Sequence, residues 1–195
     1  MESVQGRALV ASPYLSDPNF MRSVVYMLQD DDDGALGVVL NRPTDRSVAS
    51  LLEAISDEKV TADSAIHWGG PIDGPLMLLQ ELRGEGTSGI FAASEQERIL
   101  EICREGLGSS DDEDDESSTR PIAGSYRVFD GYAGWGVEQL RHELKDGGWL
   151  IWDIEPQQIF ADTENLWEDA LKMIGRDILT AGIDPSLLPE NPACN

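Results

Sequence analysis

Three short apolar runs in the first 41 residues constrain the fold of this chain more than any other feature. They read RALVAS (7–12), SVVYMLQ (23–29) and ALGVVLN (35–41). Short apolar runs bounded by polar residues and glycine are typical of β-strands. Four aspartates and a glycine, 30–34, join the second run to the third. This short, Gly-ended connection predicts a β-hairpin.

The rest of the chain adds helices to these strands. Apolar residues recur with helical spacing in four segments, and helices are expected to begin near Ser47, Ser94, Gly136 and Asp162. Two further runs, YRVFD (126–130) and WLIWDI (149–154), are predicted strands. Strands that cluster early and helices that follow favour the α+β class. We therefore expect one compact domain over 1–195, with a mixed or antiparallel sheet of short strands and several packed helices.

The charge balance limits the partners of this domain. The chain has 37 Asp plus Glu against 14 Lys plus Arg, which gives a net charge of −23 at pH 7. Nucleic-acid backbones and anionic membranes attract Lys-rich and Arg-rich surfaces and repel acidic ones. Direct nucleic-acid binding and membrane binding are therefore not expected, although a local cationic pocket is compatible with this charge.

The sequence also predicts the cellular location. The N-terminus lacks a basic region followed by a long apolar run, and no segment approaches the ~20 apolar residues that a membrane helix needs. Only Cys103 and Cys194 are present, so a disulfide framework is not expected. Cys103 falls on the apolar face of a predicted helix and is expected to be buried. We expect a cytoplasmic protein.

Two acidic segments are candidate functional elements. Asp30–Asp33 form either a solvated turn or a calcium loop, and they lack the spacing of an EF-hand. The segment 109–119 contains six consecutive carboxylates at 111–116 and is predicted to be a disordered surface insert. A Pro-containing tail is predicted over 183–195. No metal site is expected in the chain.

Several stretches together resemble the YqgE/AlgH family of small bacterial proteins. They are ALVASPYLSDPNFMRSVVYM (8–27), GALGVVLNRP (34–43), HWGGPI (67–72) and FDGYAGWGVEQLRHEL (129–144). The resemblance implies a compact α+β domain and a regulatory label that comes from an association with alginate control, without an established enzymatic activity. Family members often carry His at the positions of Asp30 and Gln80, so a site built on those histidines does not apply here.

Polar residues at strand ends and turns form the first part of a candidate site, because loops on a rigid scaffold often present functional groups. Arg22 follows a turn that begins at Asp17. It either holds a carboxylate or phosphate, or pairs with Asp17 and braces the turn. Asn41 and Arg42 close the third run, where Pro43 lacks an N–H to continue a strand. In one interpretation both side chains contact a ligand. In the other, Asn41 forms hydrogen bonds with local backbone groups and Arg42 points to solvent.

His67 and the segment GYAGWG (131–136) complete the candidate site. His67 begins HWGGP, which predicts a sharp turn; the sequence shows neither a zinc-ligand set nor a nucleophile signature around it. GYAGWG precedes a helix whose first N–H groups could hold an anion, and it matches neither a phosphate-binding loop nor a dinucleotide fingerprint. Alternatively, its two rings are packing anchors. The residues of this segment assigned to the site are Gly131, Tyr132, Gly134, Trp135 and Gly136.

These features predict a non-catalytic binding or regulatory domain that acts through a protein partner or a small anionic ligand, without a cofactor. Two alternatives remain open. The first is a transcriptional regulator that binds DNA directly, which the net charge and the lack of a basic helix-turn-helix pattern disfavour. The second is an enzyme that uses Arg22, Asn41, Arg42 and His67, which requires these side chains to line one concave surface.

Overall fold

A computed structural model describes residues 2–56, 64–84, 87–108 and 122–180. Its strands are β1 (Ala8–Ala11), β2 (Val24–Asp31), β3 (Gly34–Val39), β4 (Pro43–Ser47), β5 (Ala65–Trp68), β6 (Met77–Gly84), β7 (Thr87–Ala93), β8 (Ile122–Asp130), β9 (Ala133–Trp135) and β10 (Trp149–Trp152). Its helices are α1 (Val48–Ser56), α2 (Gln96–Gly108), α3 (Val137–Lys145), α4 (Pro156–Ile159) and α5 (Leu166–Thr180). The predicted insert 109–119 and tail 183–195 lie outside the described residues and stay predictions.

The first sheet contains the three N-terminal strands that the sequence predicted. Its strand order is β10-β1-β2-β3-β9, and all neighbours are antiparallel. The predicted hairpin between β2 and β3 is present and closes with Asp31 paired to Gly34. The sheet is covered on both faces, which is why β1 is buried at every position and reads as a continuous apolar run.

The second sheet has the order β4-β5-β8-β6-β7. Strands β5 and β8 run parallel, and the other pairs are antiparallel. Pro43, which the sequence analysis interpreted as the end of the third strand, instead begins β4. Proline is tolerated there because β4 is an edge strand, where an N–H can be missing without loss of a ladder bond. The α+β class is thus confirmed, with the strands divided between two sheets.

Three apolar clusters fill the spaces between these layers. Alternate residues of β1 and β2 point to opposite faces of the first sheet, as the period of a strand requires. One face packs with residues of the second sheet and of α5, in a cluster that includes Val10, Val24, Leu79, Phe129 and Ala170. The other face packs under α3, in a cluster that includes Leu9, Val25, Trp135, Leu140 and Trp149. The third cluster lies between the second sheet and α1 and α2, and includes Leu52, Leu78, Ile99 and Cys103.

Candidate functional site

The loop 12–23 joins β1 to β2 and carries the first predicted site residue. The Asp17 carboxylate accepts the backbone N–H of Asn19 at 2.7 Å, and the Asp17 carbonyl oxygen accepts the N–H of Met21 at 2.8 Å. These bonds close a turn immediately before Arg22, whose φ is 56°. A non-glycine residue in this left-handed region costs roughly 1–2 kcal/mol. The Asp17 carboxylate is therefore bound to the turn, and the loop places Arg22 in an unfavourable backbone conformation.

The Arg22 side chain lies over an aromatic ring. Its guanidinium carbon is 5.5 Å from the ring centroid of Trp167, at the start of α5. The Trp167 indole is fixed by a 2.7 Å hydrogen bond from its Nε1 to the carbonyl oxygen of Ala11. Within the described part of the chain, no carboxylate oxygen lies within 4.0 Å of the Arg22 guanidinium. The alternative in which Arg22 braces the turn through Asp17 is therefore not the arrangement that the fold adopts.

The Asn41 side chain connects the end of β3 to the end of the same loop. Its Oδ1 accepts the backbone N–H of Val24 at 2.9 Å, and its Nδ2 donates to the carbonyl oxygen of Arg22 at 2.9 Å. A side-chain amide offers one acceptor and two donors, so it can replace a backbone pair where regular strand pairing stops. Asn41 therefore binds backbone groups that are distant in sequence and fixes the position of Arg22.

Arg42 also returns to the loop. One of its Nη2 hydrogens is donated to the carbonyl oxygen of Met21 at 3.1 Å. Its guanidinium carbon lies 5.0 Å from the ring centroid of Trp68 in β5. Burial lowers the pKa of Arg42, and the nearby charge of Asp17 opposes that effect. The Arg42 side chain is thus half-buried on an indole and does not extend into solvent.

We call the set Arg22, Asn41, Arg42, Trp68 and Trp167 the arginine corner. It differs from the surroundings of several other cations on the molecule. Five other cationic side chains form ion pairs with carboxylates, and these pairs are Arg7–Asp153, Arg46–Asp130, Arg98–Glu101, Arg141–Glu138 and Lys172–Asp169. In contrast, neither corner arginine has a carboxylate partner within 4.0 Å among the described residues. Both guanidinium groups keep N–H donors for which the described residues supply no acceptor.

His67 belongs to the core and is not part of this corner. It is 7% exposed, its ring centroid lies 5.9 Å from that of Phe129, and its Nδ1 is 3.2 Å from the carbonyl oxygen of Ala65. Burial, assisted by the positive charge of Arg127, lowers the pKa of His67 to about 4. The imidazole is therefore neutral at neutral pH. Of the four residues in the enzyme hypothesis, the fold brings Arg22, Asn41 and Arg42 together. It places the fourth, His67, among core side chains.

Arg127 is a half-buried cation that the sequence analysis missed. Its guanidinium donates to the carbonyl oxygens of Ile159 at 2.7 Å and Ala161 at 2.9 Å. A longer contact of 3.4 Å reaches the carbonyl oxygen of Leu40. Burial lowers its pKa to about 10, with an opposing effect from Asp162. Arg127 thus ties β8 to the end of α4 and to the segment that leads into Asn41.

The glycine-rich motifs meet at the seam between the two sheets. The Val39 N–H donates to the Gly69 carbonyl oxygen at 2.8 Å, and the Gly69 N–H donates to the Asp130 carbonyl oxygen at 2.8 Å. A Cβ on Gly69 would lie 2.1 Å from the carbonyl oxygen of Gly131, so only glycine fits at this position. Gly131 has a φ of 76°, which also favours glycine. These glycines therefore allow two backbones to pack in direct contact.

The rest of GYAGWG contacts groups of the protein itself. Tyr132 forms a two-bond bridge with Ile72, with N···O distances of 3.0 and 3.1 Å. Gly134 lies under the side chain of Ile72, whose Cδ1 would be 2.9 Å from a Cβ at this position. The Gly136 N–H, at the start of α3, is 3.4 Å from the Oε1 of Gln139. A ligand-binding role for these residues stays a prediction.

Trp135 is held by a carboxylate on α3. Glu143 Oε2 accepts the indole N–H groups of Trp135 at 3.0 Å and Trp149 at 2.8 Å. Its Oε1 accepts the side-chain amide of Gln139 at 2.9 Å. Phe20 stacks on Trp135 with a centroid distance of 5.6 Å, which links the loop 12–23 to this cluster. The Trp135 indole is therefore packed in the way that the second interpretation of GYAGWG, with its rings as packing anchors, describes.

The family model described as AlgH-like matches residues 8–179, a range that includes every residue of the arginine corner. The chain belongs to the AlgH-like family. This confirms the resemblance to the YqgE/AlgH family. The chain is 37% identical over 191 residues to a UPF0301 protein of Streptomyces coelicolor, with 96% of each chain covered. It is 34% identical over 190 residues to a UPF0301 protein of Thermobifida fusca, with 95% of this chain and 96% of the relative covered.

Solved structures show the same AlgH-like fold. The solution structure of the AlgH protein from Pseudomonas aeruginosa matches with a TM-score of 0.65 at 24% identity, covering 94% of this chain and 99% of the other. The crystal structure of a protein from Corynebacterium diphtheriae matches with a TM-score of 0.64 at 20% identity, covering 89% and 88%. At these identities the comparison supports the fold alone.

Metal sites and membrane spans are two further features that the sequence of this AlgH-like chain bears on. Within the described ranges, no group of three or more His, Cys, Asp or Glu side chains converges as metal ligands would. The Asp30 carboxylate accepts the N–H of Val4 at 2.8 Å, and the Asp31 carboxylate accepts the N–H of Asp33 at 2.9 Å. Two of the four carboxylates of the acidic turn thus accept hydrogen bonds from backbone N–H groups. Among the helices of the described residues, none has the length and apolarity that crossing a bilayer requires.

Proposed function

We propose that this chain is a non-catalytic binding domain whose arginine corner recognises an anionic group, a carboxylate or a phosphate, on a small ligand or a protein partner. The observation that carries the proposal is the pair of guanidinium groups of Arg22 and Arg42. Each lies on an indole ring, and neither has a carboxylate partner within 4.0 Å among the described residues. In a chain of net charge −23, carboxylates are abundant and such a pair is unexpected.

The chemistry of arginine supports this assignment. A guanidinium that stacks on an aromatic ring keeps its edge N–H donors available in the plane of the group. Those donors match the two oxygens of a carboxylate or a phosphate, and charge-assisted bonds of this kind are stronger than neutral ones. The indole also shields one face from water, which strengthens the attraction to an anion. The corner is therefore suited to a single anionic group.

The backbone conformation of Arg22 is a second, independent support. Strain of this size persists where the surrounding structure holds it, and such residues concentrate at functional sites. Here the Asn41 amide and the turn that begins at Asp17 hold the loop in place. Arg22 is also exposed, so core packing does not explain its conformation. A preformed site reduces the ordering cost of binding.

The two alternatives have less support. The net charge of −23 opposes binding along a DNA backbone, and five cations of the described surface are already paired with carboxylates of the chain. For the enzyme hypothesis, His67 is 7% exposed and lies against Phe129, which limits its access to a substrate. Recognition of one anionic group requires neither a general base nor a large basic surface.

The test is an NMR titration of the intact protein with inorganic phosphate and, separately, with succinate, read at the arginine side-chain Nε–H signals. We expect saturable shifts at Arg22 and Arg42. The variants Arg22→Gln and Arg42→Gln should each weaken binding at least about tenfold, the loss typical of one charge-assisted contact. The matched control is Arg141→Gln, which removes the same charge from an exposed position on α3. Equal weakening in the control, or no saturable shift with either anion, would contradict the proposal.

A further inference from the structure

A second surface, which shares no residue with the arginine corner, combines an apolar pocket with acidic side chains. The pocket has a volume of about 240 Å³ and lies between α1, the segment before β6 and the start of α2. Its apolar lining includes Leu51, Leu76, Ile99 and Leu100. An apolar cavity of about 150 Å³ is large enough to hold a benzene ring. The pocket is therefore large enough for one or two apolar side chains of a partner.

The entrance of this pocket is acidic. Gln96 and Leu100 line the pocket and also line a wide, open surface beside it, which carries Glu95, Glu97 and Glu101. Glu101 is paired with Arg98. In contrast, neither Glu95 nor Glu97 has a cationic group within 4.0 Å among the described side chains, and both are exposed. The apolar pocket thus opens beside two unpaired carboxylates.

We propose that this surface docks a basic amphipathic segment of a protein partner. One apolar side chain of that segment enters the pocket, and Lys or Arg side chains beside it approach Glu95 and Glu97. Charge complementarity selects this occupant: carboxylates at the rim attract a basic segment and repel an acidic one or a nucleic acid. The apolar pocket supplies the central anchor that peptide-binding grooves use, with the charged rim around it. This inference uses residues separate from the arginine corner and does not depend on anion binding there.

The probe is a fluorescein-labelled synthetic peptide of leucine and lysine with helical amphipathic spacing, titrated with the intact protein at physiological ionic strength. We expect saturable binding with a Kd in the micromolar range, which corresponds to a binding free energy of about −8 kcal/mol. The double variant Glu95→Lys/Glu97→Lys should weaken it at least about tenfold. Ser94→Trp should also weaken it, because Ser94 is exposed and lines the pocket, so the larger side chain occupies the space without a change in the core.

The controls separate a defined site from diffuse attraction to an acidic protein. Glu164→Lys/Glu168→Lys changes the net charge by the same amount at exposed positions outside the pocket lining. It should leave the affinity unchanged within about twofold, since exposed charges beyond a Debye length are screened. Equal weakening in this control would overturn the proposal. So would equal binding of a peptide with alanine in place of leucine, or of a leucine–glutamate peptide. Binding of benzene in the pocket without competition by the peptide would favour a small apolar ligand and would also overturn it.

Discussion

The Asn41 side-chain amide donates a 2.9 Å hydrogen bond to the carbonyl oxygen of Arg22. Arg22 is not a glycine and yet has a positive φ. The same amide accepts the N–H of Val24 through its oxygen. One side chain therefore continues the pairing of β2 with β3 beyond the last backbone pair and holds the corner arginine in its strained conformation. The position of the corner depends on this contact.

Replacement of Asn41 by alanine tests that dependence. The variant loses two hydrogen bonds to backbone groups, each worth roughly 0.5–1.5 kcal/mol net. We expect the free energy of unfolding, measured by urea denaturation, to fall by about 1–3 kcal/mol and anion affinity to fall as well. Asn19→Ala is the control, because Asn19 is exposed and contributes its backbone N–H to the turn. A loss of stability without any loss of affinity would show that Asn41 does not position Arg22.

Replacement of Arg22 by glycine separates binding from stability. Glycine adopts a φ of 56° without strain, while the loss of the contact with Trp167 costs about 0.5–1 kcal/mol. These effects offset each other, so the free energy of unfolding should change by less than about 1 kcal/mol. Anion binding at the corner should nevertheless be lost. A variant that unfolds more easily by several kcal/mol would indicate that Arg22 has mainly a packing role.

The buried imidazole of His67 predicts a pH dependence of stability. Its pKa in the fold is about 4, below the ordinary value of 6.5, so the unfolded chain binds the proton more strongly. The neutral form therefore contributes stability above pH 6.5, and this contribution is lost as pH falls towards 4, by about 3 kcal/mol at most. His67→Asn, which keeps a donor for the Ala65 carbonyl oxygen, should lose this contribution, so its stability should fall less steeply than that of the unsubstituted protein as pH falls from 6.5 to 4. Parallel profiles for the two proteins between pH 4 and 6.5 would contradict this assignment.

Glu143 should be a strong determinant of stability on α3. Its removal in Glu143→Ala leaves the indole N–H groups of two buried tryptophans, Trp135 and Trp149, without their acceptor. Each unsatisfied buried donor costs about 1–3 kcal/mol, so we expect a loss of about 2–4 kcal/mol in urea denaturation followed by tryptophan fluorescence. Glu138→Ala, an exposed position on the same helix, should change stability by less than about 0.5 kcal/mol. Similar losses for both variants would argue against the role of Glu143.

The elements with simple periodicity were predictable from sequence. The three N-terminal strands and the hairpin between β2 and β3 are confirmed because continuous apolar runs and a Gly-ended turn mark them clearly. The hairpin of β6 and β7 was missed, since Gln80 and Glu81 are polar residues that are nevertheless buried in β6. Strand β4 was missed because it reads PTDRS and lies at a sheet edge, where no apolar run is needed.

The candidate site was predictable only as a set of polar residues. Strand ends and turns pointed to Arg22, Asn41 and Arg42, and the fold brings their backbones together. The indole rings beneath the two guanidinium groups were not predicted, because contacts such as Arg22 with Trp167 join segments at opposite ends of the sequence. Arg127 carried a usable signal, since an arginine in the middle of the apolar run YRVFD requires acceptors inside the fold.

The close contact of Gly69 with Gly131 has a mechanical consequence. It leaves little free space where the two sheets meet, and the arginine corner spans the same boundary: Arg22 lies over Trp167, which is bonded to β1, while Arg42 lies over Trp68 in β5. A ligand that contacts both guanidinium groups would link the two sides of this boundary and oppose movement of one sheet relative to the other. Its binding would then slow amide hydrogen exchange at Val39 and Gly69, although neither residue belongs to the corner.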